Sequence, residues 1–139
     1  MDCKDLRDQL SEDPAPAQPL RVLAAVSDLM FVSKISAAAK QAGCSVQFFR
    51  DSEGLTEAVA GPACLVIVDL NNAPMNPVAL IAALKANPST QQATVLAYVS
   101  HVQTELKREA EKAGSDLVLP RSAFSQNLYE ILRQRSCHL

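Results

Sequence analysis

The run Ala63-Cys64-Leu65-Val66-Ile67-Val68-Asp69-Leu70 decides the fold of this chain. Uncharged, mostly β-forming residues lead into one carboxylate, and Asn71-Asn72-Ala73-Pro74 follows. A continuous apolar run of this length reads as a strand buried on both faces, the habit of a parallel sheet. A charge where such a strand emerges lies at the carboxyl edge, where open α/β sheets place their sites.

Outward from that strand the chain alternates. Arg21–Val26 reads as a strand, with Ser27 or Asp28 as N-cap of a helix whose inner stripe is Phe31, Ile35, Ala38, Ala39 and Ala42, ended by Gly43. Ser45–Phe49 is a second strand, and Asp51 or Ser52 opens a short helix through Val59, stopped by Gly61-Pro62. After the Asp69 strand, Asn76-Pro77 places a cap and a first-turn proline before the helix Val78–Lys85. Thr94–Val99 is the fourth strand, Thr104–Ala113 a charged helix closed by Gly114, Leu117–Leu119 the fifth strand, and Phe124–Arg135 the last helix. Five strand–helix units predict a single doubly wound α/β domain with a parallel sheet, over residues 20–135. Residues 1–19 read as an acidic tail ending in the linker Asp13-Pro14-Ala15-Pro16-Ala17-Gln18-Pro19, and 136–139 as a short C-terminal tail.

Composition narrows the function. Residues 1–19 hold Asp2, Asp5, Asp8, Glu12 and Asp13 against Lys4 and Arg7, so the tail carries −3 and the remainder +1 of the net charge of −2. The body lacks the basic stripe of a nucleic-acid binder, and neither a signal peptide nor a membrane span is legible. The expectation is a cytoplasmic protein with no nucleic-acid or membrane partner. The cysteines Cys3, Cys44, Cys64 and Cys137 form no C-x-x-C pair, and Cys64 reads as a core residue. Cys137-His138 makes a poor metal site beside the reading of a frayed end.

The chain resembles the receiver domain of two-component response regulators from about Arg21 to Arg135. The motifs are Val66-Ile67-Val68-Asp69-Leu70, Ala113-Gly114-Ser115-Asp116 before the fifth strand, and a basic residue after it. The resemblance implies a flavodoxin-like (βα)5 fold of strand order 2-1-3-4-5. It implies Asp69 as phospho-acceptor, held with Mg²⁺ by two acids closing the first strand. Those positions fall on Val26 and Ser27, and Asp28 one residue later is the nearest acid. Asp28, Asp69 and the Asn71 carbonyl are then weak Mg²⁺ candidates, because the ion wants hard, charged oxygens in octahedral array.

The family's hydroxyl position falls on Val99 by an ungapped count and on Ser100 with a one-residue slip. Its lysine falls on Arg121, with Pro120 before it, and its fifth-strand aromatic falls on Val118. Arg121 offers a planar fork that either pairs with Asp69, with Ser27 or Ser100 assisting, or swings into solvent. His101 reads as a loop histidine, Tyr98 as core, and the charges of 104–113 as a solvated face.

The expected function is a stand-alone signalling module acting through protein contact, a pseudo-receiver requiring no cofactor and catalysing nothing. A histidine kinase or another signalling protein is the implied partner, and the fourth helix, fifth strand and fifth helix are the candidate homodimer surface. The alternative is a working phosphorelay receiver. A flavodoxin-like cofactor binder is disfavoured, since Ser27-Asp28-Leu29-Met30-Phe31 has no glycine and puts an acid where a flavin phosphate would sit.

Overall fold

Every residue of the strand Cys64–Asp69 is buried, because this strand runs between two others and under helices on both faces. The computed structural model describes residues 20–61, 64–100 and 103–137. In chain order these form β1 (Arg21–Ala25), α1 (Leu29–Ala42), β2 (Ser45–Phe48), α2 (Ser52–Val59) and β3 (Cys64–Asp69). A 3-10 turn (Ala73–Met75), α3 (Pro77–Ala86), β4 (Thr94–Val99), α4 (Thr104–Ala113), β5 (Leu117–Pro120) and α5 (Arg121–Cys137) follow. The five strands are parallel in the order β2-β1-β3-β4-β5, as the alternating pattern predicts.

Strand periodicity sorts the core into two halves. Leu23, Val66, Val68, Val95, Ala97 and Val99 pack with Leu55, Leu80, Ile81, Leu84 and Ala110, under α2, α3 and α4. Val22, Ala24, Leu65, Ile67, Leu96 and Tyr98 pack with Phe31, Ile35, Phe124, Leu128 and Leu132, under α1 and α5. Each of these Val, Leu, Ile and Phe side chains contributes about 1.5–3 kcal/mol on burial, so the sheet register is strongly held. That register pairs Ala25 with Val68, Asp69 with Tyr98 and Val99 with Pro120 along the carboxyl edge.

Local chemistry fixes the helix ends. Asp28 caps α1, accepting from the Met30 and Phe31 N–H groups at 2.9 and 3.3 Å, and Gly43 ends it at φ 76°. Asp51 caps α2 through the Gly54 N–H. Gly114 closes α4 at φ 114°, and a Cβ there would stand 2.8 Å from Lys85 Cγ. Cys64 is a buried free thiol whose pKa burial pushes up, against the field of Arg21.

Several readings are corrected, among them the end of β2, which stops at Phe48 instead of Phe49. Asn76 sits at the cap position of α3 in left-handed backbone, φ 49°, and makes no side-chain cap bond; the turn Ala73–Met75 delivers it there through its N–H to the Ala73 carbonyl. Strand β1 ends at Ala25, since Val26 already turns toward the cap. Strand β5 runs one residue longer than read, to Pro120, whose missing N–H costs nothing at this edge strand's last position. Helix α5 begins at Arg121 instead of Phe124, because Pro120 has no N–H that needs an acceptor and the helix starts directly behind it, and it continues to Cys137. The tail 1–19, His101 and His138 lie outside the described residues, as does the Cys137 side chain. Among the described residues no helix is long and apolar enough to cross a membrane.

Candidate functional site

Asp69 ends β3 on the face shared with α1 and α5, and is only 5% exposed. The turn that follows folds back on it. The Asn71 N–H donates to Asp69 Oδ1 at 2.9 Å, and the Asn72 N–H donates to the Asp69 carbonyl at 2.9 Å. Burial pushes the Asp69 pKa above the usual carboxylate value. The Asn71 N–H, the field of Arg121 and the nearby Tyr98 hydroxyl pull it down, and the charge of Asp28 pushes it up again. Burial outweighs the opposing effects, so the carboxylate is held in an environment that resists its charge.

The turn is itself braced. Asn72 is buried and donates from Nδ2 to the Ala25 carbonyl at 3.2 Å, tying β3 to β1. Asn71 donates from Nδ2 to Gln103 Oε1 at 2.6 Å and accepts the Ser100 N–H at 3.3 Å, tying β3 to the loop after β4. Neither brace is legible from residue spacing, because both partners are distant in sequence.

Several of the oxygens read as Mg²⁺ candidates already accept hydrogen bonds. Asp28 Oδ1 caps α1. The Asn71 carbonyl accepts the Ala73 N–H at 3.0 Å. Val26 and Ser27 contribute no carboxylate beside Asp69, and no cluster of three metal-binding side chains occurs among the described residues. This donor set does not fit a dication that favours octahedral oxygen ligands with charge.

Tyr98 is the residue the sequence reading undervalued. It is fully buried, as a core residue should be, with its ring packed against Phe31 and Phe124 at centroid distances of 4.9 and 4.4 Å in a three-ring cluster. Its hydroxyl is directed to Asp69, yet makes no hydrogen bond of ordinary geometry. Burial and then the charge of Asp69 push the phenol pKa far above its usual value. The signal available in sequence was register: a tyrosine next to the strand end faces whatever the neighbouring strand presents there. Val99, in the ungapped hydroxyl position, is buried in the opposite half of the core, under α2, α3 and α4. Ser100 lies just beyond, on the side of α1 and α5. Ser27 is exposed and borders a separate hollow of about 470 Å³ with Phe48, Phe49 and Arg50.

Arg121 does not pair with Asp69. No ion pair joins them; the guanidinium lies over the Phe31 ring, 5.4 Å from its centroid. The physical reason is the early start of α5: Arg121 is its first residue, and the aromatic stack of Phe31, Tyr98 and Phe124 offers a face on which a cation gains attraction. Arg121 therefore acts on Asp69 only through its field.

No protein-family model and no curated protein matches the chain. Solved structures match its fold. The receiver domain of the sensor histidine kinase PA1611 of Pseudomonas aeruginosa, with magnesium in its active-site cleft, superposes with a TM-score of 0.72 at 14% identity, covering 88% of this chain and 100% of that one. The chemotaxis response regulator CheY4 of Vibrio cholerae gives 0.70 at 18% identity, covering 84% and 98%. A response regulator receiver domain from Rhodospirillum rubrum gives 0.68 at 19% identity, covering 86% and 92%. This chain has the fold of response regulator receiver domains.

Proposed function

We propose that the chain is a receiver-like signalling module that works by protein contact, with Asp69 retained as an acceptor in a degenerate phosphorylation site. One observation carries this reading. The nearest acid, Asp28, is bonded to the first turn of α1 while Val26 and Ser27 stand at the two acidic positions, so Asp69 faces its edge without a second free carboxylate. Phosphoryl transfer depends on neutralising the charge that develops at the acceptor. Arg121, laid on Phe31, is displaced from that task. A cytoplasmic module without enzymatic activity fits this arrangement. Its partner would be a histidine kinase or another signalling protein. A homodimer would use α4, β5 and α5, where Leu117 and Tyr129 are exposed apolar residues.

The test is incubation with acetyl phosphate and Mg²⁺, read by intact mass. Little or no adduct is expected. A stoichiometric phosphoryl adduct that disappears in Asp69→Asn would establish a working receiver instead.

A further inference from the structure

The first turns of α1 and α5 enclose a cleft of about 490 Å³, lined chiefly by Met30, Phe31, Lys34, Arg121, Ser122 and Ser125. Its charge is one-sided. Lys34 and Arg121 both stand on the Phe31 ring, with Lys34 Nζ 5.7 Å and Arg121 Cζ 5.4 Å from its centroid. No carboxylate lines the cleft, and among the described residues neither cation is in an ion pair. Two like charges over one ring repel each other, and an anion placed between them would relieve that repulsion.

The cleft also has more donors than acceptors. Lys34 Nζ donates to Ser125 Oγ at 2.8 Å, which uses the hydroxyl as an acceptor and leaves its hydrogen for an outside group. Arg121 Nε is buried with no acceptor among the described residues. Ser122 is exposed at the mouth. Met30, 64% exposed, forms an apolar wall beside these donors. The volume lies in the ~300–1,000 Å³ range of small-molecule pockets.

We propose that this cleft binds a small organic phosphate monoester, its phosphate between Lys34 and Arg121 and its apolar body against Met30. A phosphate monoester supplies three acceptor oxygens and about two negative charges, which matches two cations and a hydroxyl pair better than a single carboxylate does. Asp69 is not part of the lining, so binding here needs no phosphoryl group on Asp69, although Arg121 and Ser100 border both places.

The experiment is a titration of the full chain with phenyl phosphate, followed by backbone amide NMR shifts. Inorganic phosphate, phenol and sodium chloride of matched ionic strength serve as parallel arms. Saturable shifts at Lys34, Arg121, Ser122 and Ser125 are expected with phenyl phosphate. Binding should weaken roughly tenfold or more in Lys34→Gln and in Arg121→Gln, as loss of a charge-assisted hydrogen bond implies. Lys34 is solvent-exposed, so its variant tests the cleft without threatening the fold. Lys40→Gln makes the same charge change on α1 outside the cleft and should leave binding unchanged. Shifts that match those of sodium chloride, or an equal loss in Lys40→Gln, would overturn the site. Equal affinity for inorganic phosphate would overturn the ester and leave a site for free phosphate.

Discussion

Asp69 and Tyr98 are register partners on adjacent strands, and the buried tyrosine hydroxyl is directed at the buried carboxylate without a proper hydrogen bond between them. The aromatic stack on Phe31 and Phe124 fixes the ring, so the hydroxyl cannot swing to another acceptor.

Tyr98→Phe removes that hydroxyl and keeps the stack. An unpaired buried hydroxyl costs about 1–3 kcal/mol, so the variant should be more stable by about 1 kcal/mol in urea unfolding below about pH 3.9, where Asp69 is uncharged, and the gain should shrink as Asp69 ionises. The Asp69 pKa should rise further, because the Tyr98 contact lowers it. A clear loss of stability would mean that the hydroxyl is bonded in solution.

Asp69 itself should make stability depend on pH. Its folded pKa lies above the unfolded value of ~3.9, so the folded state holds the proton more tightly. Stability is then highest below the unfolded pKa and falls as pH rises through the folded one. Asp69→Asn should stabilise the protein at pH 7, and the gain should vanish below about pH 3.9. Unfolding curves of both proteins across pH 3–7 measure this, and a gain independent of pH would exclude Asp69 as its source.

Asp28 gives a test of the cap against a metal role. Asp28→Ala should cost about 1 kcal/mol, while Asp28→Ser, which can cap equally well, should cost little. Any amide shifts on Mg²⁺ addition should be the same in Asp28→Ser and the parent chain. Shifts lost in Asp28→Ser with stability intact would make Asp28 a ligand.

Away from the site, Asp116 locks β4 to the end of α3. Its Oδ2 accepts from Lys85 Nζ at 2.8 Å and from the Val95 N–H at 2.7 Å. Burial pushes its pKa up, but these two bonds outweigh burial and hold it below the usual value. The Asp116 side chain is 46% exposed, so solvent screens the pair. Asp116→Ala should therefore cost only about 1 kcal/mol at pH 7. The contribution is present above the unfolded pKa of ~3.9 and is lost as pH falls through the lower folded value. Urea midpoints at pH 7 and pH 3 check both the size and the sign.

The sheet was legible because its signals are local. The apolar run Cys64–Val68 reads as a strand buried on both faces, and Asp28, Gly43 and Gly114 mark helix ends through their own backbone and side-chain chemistry. The site was legible only in outline. Asp69 at the carboxyl edge, the missing acids at Val26 and Ser27, and the basic residue Arg121 could all be counted along the chain. The partner of Arg121 could not. A long cation chooses among everything within its reach, and that choice depended on where α5 began and on an aromatic stack drawn from three separate elements.

The sequence by itself therefore determined the order of the strands and helices, the edge on which Asp69 emerges, and the carboxylates absent around it. Those follow from periodicity and residue identity. Only the tertiary structure decided that Tyr98 faces Asp69, that Asp28 is occupied by its own helix, and that Arg121 joins Lys34 over Phe31. Each depends on groups brought together from distant parts of the chain, where a few ångströms separate an ion pair from a cation resting on a ring.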